Sequence, residues 1–396
     1  MEQEKPSGDA ASVYAAIRPY LNSAFWNDYR NADTLAWLMT GVIQSRSSNV
    51  SKWIAHTPSK GIFKQSVERR YHRFLENDKF DGHEQYKAIA APILRQWGDN
   101  EIIIALDTSM LWNKFCDIRI TAIYRGRGVT LAWKLIEHDS ASVDLSQLIG
   151  VLEDAKNLLD DAGITKVIFL ADRGFADTSL MRYVANLKWE YIIRIKSSFT
   201  IRNLKKELLG KVGTVEFKEG QSKHYHNVLI TKIYDKKVHI ALARVPGASE
   251  PWYLVSSRPT SNETFRIYGF RFDIEEVFKD HKSAGFDIES SGIRDAKKLD
   301  MLMLVLSLAM LFLVSEGTEV VDSGNRRFID PHWNRGLSYM RIGWQNIQNA
   351  LLYGRAFFSK LRLIQGDDPD PCRKKKTWID HIANLSSEVF QFPLLS

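Results

Sequence analysis

Two short apolar runs in this chain end on an aspartate, "EIIIALD" at Asp107 and "KVIFLAD" at Asp172. A lone Asp at such a place commonly caps the next turn with its own side chain. A pair can do more. Neighbouring strands lie about 5 Å apart, and functional groups collect at the carboxyl ends of strands in α/β sheets. If the two strands are neighbours, Asp107 and Asp172 stand side by side, and a divalent cation relieves their repulsion. Mg²⁺ is the expected ion, because it takes carboxylate oxygens and keeps several waters, which suits a site that holds phosphates.

A third carboxylate would complete a site for two ions, and "YGFRFDIEEVFKDHKSAGF" (268–286) supplies candidates. On an ideal helix Tyr268, Arg271, Glu275 and Lys282 fall within a stripe about 60° wide and about 21 Å long. Glu276 lies about 100° from Glu275, and Asp273 and Asp280 also point away from the stripe. Arg271 and Glu275 could simply form an exposed i,i+4 ion pair of small consequence. That reading leaves Tyr268 and Lys282 without a role. In the alternative, Glu275 joins the two aspartates at the metals, and Arg271, Tyr268 and Lys282 grip phosphates. His281 reads as a surface residue, and Arg294, Lys297 and Lys298 as either an extension of the phosphate track or solvated charges.

The elements that must position these groups follow from periodicity. Residues 12–98 read as helical. Within them "KGIFKQSVERRYHRFL" (60–75) carries Lys60, Lys64, Arg69, Arg70 and Arg73 against the single acid Glu68, the charge pattern of a solvated face or of a DNA-contacting helix. Strands are expected at 101–107, 116–124 and 129–136, a helix at 142–163, a strand at 166–172, a helix at 177–188 and a strand at 191–196. Residues 197–257 break into short β-like runs, and helices return at 262–283 and 296–315. Five regions result: helical 1–100, an α/β core at 101–196, a β-rich insertion at 197–257, the remainder of the core at 258–315, and a helical region at 316–396 with a basic run at 373–376.

Lys and Arg exceed Asp and Glu by 54 − 47 = 7, an excess that suits a polyanionic partner. Two cysteines, Cys116 and Cys372, support neither a disulfide framework nor a zinc cluster, so a reducing compartment is expected. The polar start "MEQEKPSGDAAS" lacks the apolar stretch of a secretory signal. The longest apolar run, Met301 to Val314, is interrupted by Ser307; it is too short to span a bilayer and is expected to be a buried helix. A cytoplasmic protein with no membrane role is the simplest expectation.

The order β-β-β-α-β-α-β, with acids on its first and fourth strands and a third on a later helix, resembles the ribonuclease H-like fold. The spacing Tyr268-x2-Arg271-x3-Glu275-x6-Lys282 resembles the Tyr-Arg-Glu-Lys signature of one branch of DDE insertion-sequence transposases, the insertion-sequence-four family. "ALDTSM" around Asp107 and "ADRGFAD" around Asp172 resemble its other two catalytic motifs. The resemblance covers roughly 100–315, and the β-rich insertion and the helical N-terminal region accord with it.

It implies cut-and-paste transposition of an insertion sequence: end nicking, hairpin formation, hairpin opening and strand transfer, with Asp107, Asp172 and Glu275 holding two Mg²⁺ ions, for which Mn²⁺ substitutes. It also implies duplex DNA as partner, both terminal inverted repeats and target, bound by a homodimer in a prokaryotic cell near the nucleoid. Trp252, in "EPWYLVSS", resembles the tryptophan on which relatives stack a flipped base, although a strand tryptophan is also an ordinary core residue. Arg173 belongs to the second motif and would meet a phosphate. Rival readings are a domesticated transposase kept as a DNA-binding protein, a stand-alone nuclease of the same fold, and a structural helical protein with a β domain.

Overall fold

Among the described residues, five α-helices precede the first strand: α1 (Gly8–Ile17), α2 (Tyr29–Ser45), α3 (Val50–Trp53), α4 (Lys64–Leu75) and α5 (Gly82–Leu94). The computed structural model describes residues 8–392 except 59–61, 99, 233, 283, 284, 333, 335 and 373–376. Lys60 and the basic run therefore lie outside the described residues. Asp28, Asn49 and Asp81 cap α2, α3 and α5 by accepting from backbone N–H groups two residues on.

Strands β1 (Ile102–Leu111), β2 (Phe115–Tyr124) and β3 (Arg127–Glu137) form an antiparallel meander. Its first turn, residues 112–114, places Trp112 and Asn113 at φ of 50° and 52° and is closed by the Lys114 N–H donating to the Leu111 carbonyl at 3.0 Å. Helix α6 (Leu145–Asp161) leads to β4 (Val167–Ala171), and α7 (Thr178–Asn186) to β5 (Glu190–Arg194). β4 pairs in parallel with both β1 and β5, as helical crossovers between strands require.

The β-rich stretch does not form a separate sheet. It supplies β6 (Thr200–Arg202), β7 (Leu208–Lys211), β8 (Gln221–Ile230), β9 (Val238–Ala243) and β10 (Trp252–Ser256). β10 pairs with β5, so one mixed sheet runs β3-β2-β1-β4-β5-β10-β9-β8-β6-β7. The chain then forms α8 (Asn262–Gly269), a 3₁₀ turn (Phe270–Phe272), α9 (Asp273–His281), α10 (Ala296–Asp322), α11 (Arg326–Ile329), α12 (Tyr339–Tyr353) and α13 (Thr377–Ala383). A last strand, β11 (Ser386–Gln391), lies parallel beside β8.

Alternation sorts the sheet's two faces. Ile104, Leu106, Phe169, Ala171 and Ile193 join the main core, while Ala105, Ile168, Leu170, Ile192 and Leu254 form a second cluster with Phe265, Tyr268, Ile274 and Phe278 of the α8–α9 segment. Counting by two along β1 and β4 puts Asp107 and Asp172 on that second face.

α10 outruns the expected apolar stretch by eight residues, from Val314 to Asp322. By length and composition it could cross a membrane, yet its most apolar window is 89% buried inside the protein. It is the core helix against which α2, α5 and α12 pack. α10 and α12 meet at two glycines: a Cβ on Gly317 would stand 2.0 Å from the Tyr339 carbonyl oxygen, and one on Gly343 the same distance from that of Leu313. In α6, Gly150 faces open space. Gly343→Ala should therefore cost about 1–3 kcal/mol, whereas Gly150→Ala should stabilise by about 0.5–1 kcal/mol. Chemical denaturation of both variants beside the parent chain checks the pair.

Candidate active site

The parallel ladder between β1 and β4 ends at the pair Leu106 and Ala171. Asp107 and Asp172 are the next residue on each strand, at the point where the two strands part. Each accepts the backbone N–H of the residue that follows, Thr108 at 2.8 Å and Arg173 at 2.7 Å. So the capping role available to a single Asp is filled, and each carboxylate keeps a second oxygen for other work.

β1 itself continues to Leu111, paired with β2 rather than β4. Directly across from Asp107 on β2 stands Arg119, and α9 lies over this face. Arg119 is fully buried with Asp117 and His281. It ion-pairs with Asp117, reaches Nδ1 of His281 at 2.8 Å and lies over the Phe278 ring at 5.0 Å. Burial first, and the Arg119 charge second, hold the His281 pKa well below 6.5. The expectation that His281 decorates the surface is thus wrong: its imidazole is 1% exposed and ties α9 to β2. Asp273 and Asp280 do point away from the stripe, but into the core, at 2% and 3% exposure.

The stripe of Tyr268, Arg271, Glu275 and Lys282 does not run along one uninterrupted helix. The 3₁₀ turn Phe270–Phe272 breaks it at Arg271, and Lys282 caps the end of α9 outside helical geometry. Tyr268, Arg271 and Lys282 still address the strand face, whereas Glu275 is exposed and bonds only Arg271. Arg271 is 5% exposed; it donates to Asp107 Oδ2 at 3.1 Å and to Glu275 Oε1 at 3.3 Å. Burial alone would lower its pKa, but Tyr268, Asp107, Asp172 and Glu275 together hold it above the ordinary guanidinium value. The Asp107 carboxyl is pushed up by burial first; Arg271 and the Thr108 N–H oppose that, and Asp172 and Glu275 add to it. Lys282 Nζ donates to the Met110 carbonyl at 2.7 Å. Tyr268 is wholly buried with no hydrogen bond from its hydroxyl, and burial raises its pKa.

In this structure, then, Arg271 and Tyr268 face carboxylates and core rather than open solvent, and phosphate would have to displace those contacts. Trp252 is corrected more strongly. It is 6% exposed, edge-on to Tyr268 at 5.5 Å and tilted against Phe272 at 6.0 Å. Packed in the second cluster at that exposure, it stands as a core aromatic in this structure. Arg173 is exposed and pairs with Glu250 at 2.9 Å, as does the more buried Arg194 at 2.8 Å. Glu276 turns to Arg127 and Lys279, away from the acids. On α4, Arg69 and Arg73 are exposed and Arg70 half-buried over the Tyr71 ring, with Val67, Tyr71 and Phe74 facing the core.

Asp117, Arg119, Arg194 and Glu250 were missed by sequence reasoning. The signal for the first two was present: opposite charges two residues apart in "CDIRITAIY" occupy one face of a strand that is buried on both.

Among the described residues no three Asp, Glu, His or Cys groups stand close enough to share one metal ion. In donor type, three carboxylates are what a hard divalent cation takes, and Asp107 and Glu275 already share one cationic partner, the Arg271 guanidinium.

A family model described as a transposase DDE domain matches residues 113–312, just over half of the chain. The chain belongs to the DDE transposase domain family. The matched span contains Asp172 and Glu275 and starts six residues after Asp107. A comparison with curated proteins finds no match. Membership makes this transposase a DNA-binding protein of a family that cleaves or transfers DNA strands and generally uses divalent metals.

The electrostatics of the transposase site give a stability signature. A carboxyl whose pKa is raised by folding binds its proton more tightly in the fold than in the unfolded chain. Stability then falls as pH rises from 3.8 through the raised value, and the loss is complete above it. Asp107→Asn removes that loss, so its Tm relative to wild type should climb across the same window. A flat Tm difference from pH 3.5 to 7, measured by calorimetry at about half-unit steps, would contradict the assignment.

Proposed function

We propose that this chain is a cut-and-paste transposase of the insertion-sequence branch carrying Tyr268, Arg271, Glu275 and Lys282, with a ribonuclease H-like core. The observation that carries the reading is that one buried guanidinium, Arg271, bonds both Asp107 and Glu275 where β1 and β4 part, with Asp172 at the adjoining end of β4. The strand order β3-β2-β1-β4-β5 supports the core assignment. β6 to β10, between Asp172 and Glu275 in sequence, answer to the insertion.

Asp107, Asp172 and Glu275 would hold two Mg²⁺ ions. When bound, such ions make a nucleophile of water or of a 3′-hydroxyl and stabilise the departing oxygen. The chain's own part is positional. β1 and β4 set the two aspartates by register, α9 carries Glu275 to them, and the Asp117–Arg119–His281 network anchors α9 on β2. Arg271, Lys282 and Tyr268 lie beside the acids, as phosphate-binding groups must, and Arg173 and Arg194 extend positive charge past Asp172. The exposed arginines of α4, Arg69 and Arg73, are a candidate duplex contact. Each step of end nicking, hairpin formation, opening and strand transfer is one phosphoryl transfer with a different nucleophile. Pairing of two ends calls for two copies of the chain, and a prokaryotic cytoplasm is the expected setting.

The test is strand nicking on duplex DNA that carries the flanking inverted repeats, with Mg²⁺ and with EDTA. Wild type should nick at the repeat end only with metal, and Asp107→Asn and Glu275→Gln should each lose at least about 10³-fold in rate. Glu276→Gln, which loses only the pairs with Arg127 and Lys279, should stay within about threefold of wild type. Tight binding to the repeats without cleavage would indicate a protein that kept the fold for binding alone, and an inactive Glu276→Gln beside an active Glu275→Gln would refute the choice of acid.

A further inference from the structure

Arg271 holds the position where positive charge is needed, yet its grip there is loose. Strong guanidinium–carboxylate bonds are about 2.7–2.9 Å and often forked onto one acid. Arg271 instead divides itself between two, at 3.1 Å to Asp107 and 3.3 Å to Glu275, and its Nε has no partner. Its backbone lies in the 3₁₀ turn between α8 and α9, a kind of interruption that frequently marks a hinge. The guanidinium also lies over the Phe272 ring at 4.8 Å, a flat surface along which it can shift without losing contact. Beside it, the buried Tyr268 hydroxyl makes no hydrogen bond of good geometry. A hydroxyl can accept the neighbouring guanidinium N–H, but its own O–H is still left short of an acceptor.

A divalent cation at these acids would compete with the guanidinium for the same negative charge and repel it at close range. Metal at the acids therefore opposes Arg271 in its present place. We propose that Arg271 is an exchangeable counter-charge: it neutralises Asp107 and Glu275 until divalent metal takes them, and the displaced guanidinium, with Tyr268, then receives a DNA phosphate. Metal loading and DNA binding are thereby coupled through one side chain, and by linkage each strengthens the other. This rests on the reading of Asp107 and Glu275 as metal ligands.

The experiment titrates Mn²⁺ into the full chain without DNA and counts free Mn²⁺ by its paramagnetic resonance. Wild type, Arg271→Gln, Arg271→Lys and Asp107→Asn are compared, with folding checked by circular dichroism. Arg271→Gln should bind Mn²⁺ about tenfold more tightly than wild type, because the competing cation is gone. Adding a short duplex should tighten Mn²⁺ binding more in wild type than in either Arg271 variant. Should Arg271→Gln fail to fold, that comparison of wild type with Arg271→Lys decides alone. Equal or weaker Mn²⁺ binding in the Arg271 variants, with binding abolished in Asp107→Asn, would overturn the exchange and leave the carboxylate reading standing. Undiminished binding in Asp107→Asn would remove the carboxylate reading and the exchange with it.

Discussion

Two like charges at the split between parallel strands are the constraint around which this site is built. Nothing in the ladder itself favours Asp107 beside Asp172; the register that ends at Leu106 and Ala171 simply leaves them there. Their mutual repulsion, deepened by burial of Asp107, is offset by two backbone N–H groups and by Arg271. The backbone donors are fixed parts of the strand ends. Arg271 is the only contributor of the three that carries a full charge, and it arrives from a different part of the chain. Every element that sets the height and tilt of the α8–α9 segment therefore bears on the acids.

That segment is held in two ways. Phe265, Tyr268, Ile274 and Phe278 bury against Ala105, Ile168, Leu170 and Leu254, a non-directional contact that favours proximity without fixing register. Register comes from polar contacts. His281 meets Arg119, and Lys282 reaches the Met110 carbonyl. Gly128 on β3 permits the close approach, since a Cβ there would stand 2.7 Å from Val277. A buried ion pair such as Asp117–Arg119 adds little net stability, because desolvation consumes most of the attraction. The contact that bears on register is the one between elements: a helix slipped by one turn would carry His281 away from Arg119.

The strand-end acids were legible because their signal is local. A short apolar run closing on a carboxylate reads the same in a sequence as in a sheet, and the strands, helices and their order between residues 101 and 196 follow from hydrophobic period. The helix stripe was legible in part, because 100° spacing predicts shared direction but not the 3₁₀ turn at Arg271, which local propensity does not announce. Burial was the least legible quantity. His281, Asp117 and Arg119 are charged or polar types that composition assigns to the surface, and only tertiary packing takes them inside. Trp252 failed for the converse reason: a strand tryptophan next to a functional helix looks the same whether it faces a ligand or Tyr268. Continuity of β10 with β5 was equally invisible, since strand pairing across the β-rich stretch is non-local.

The site thus divides its labour between parts of different stiffness. The aspartates sit where two buried strands part in the middle of a mixed sheet, Asp107 within β1 and Asp172 just past β4, on backbone that the sheet holds in place. The charge that balances them rides on a broken helix, above an aromatic ring, with unsatisfied donors at hand. A catalyst for several successive phosphoryl transfers needs fixed acids, since each transfer uses the same ones. It also needs cationic groups that can follow a phosphate as strands are exchanged. Placing acids on strands and cations on the helix that lies across them meets both requirements with one packing arrangement, with the 3₁₀ turn at Arg271 as the joint between them.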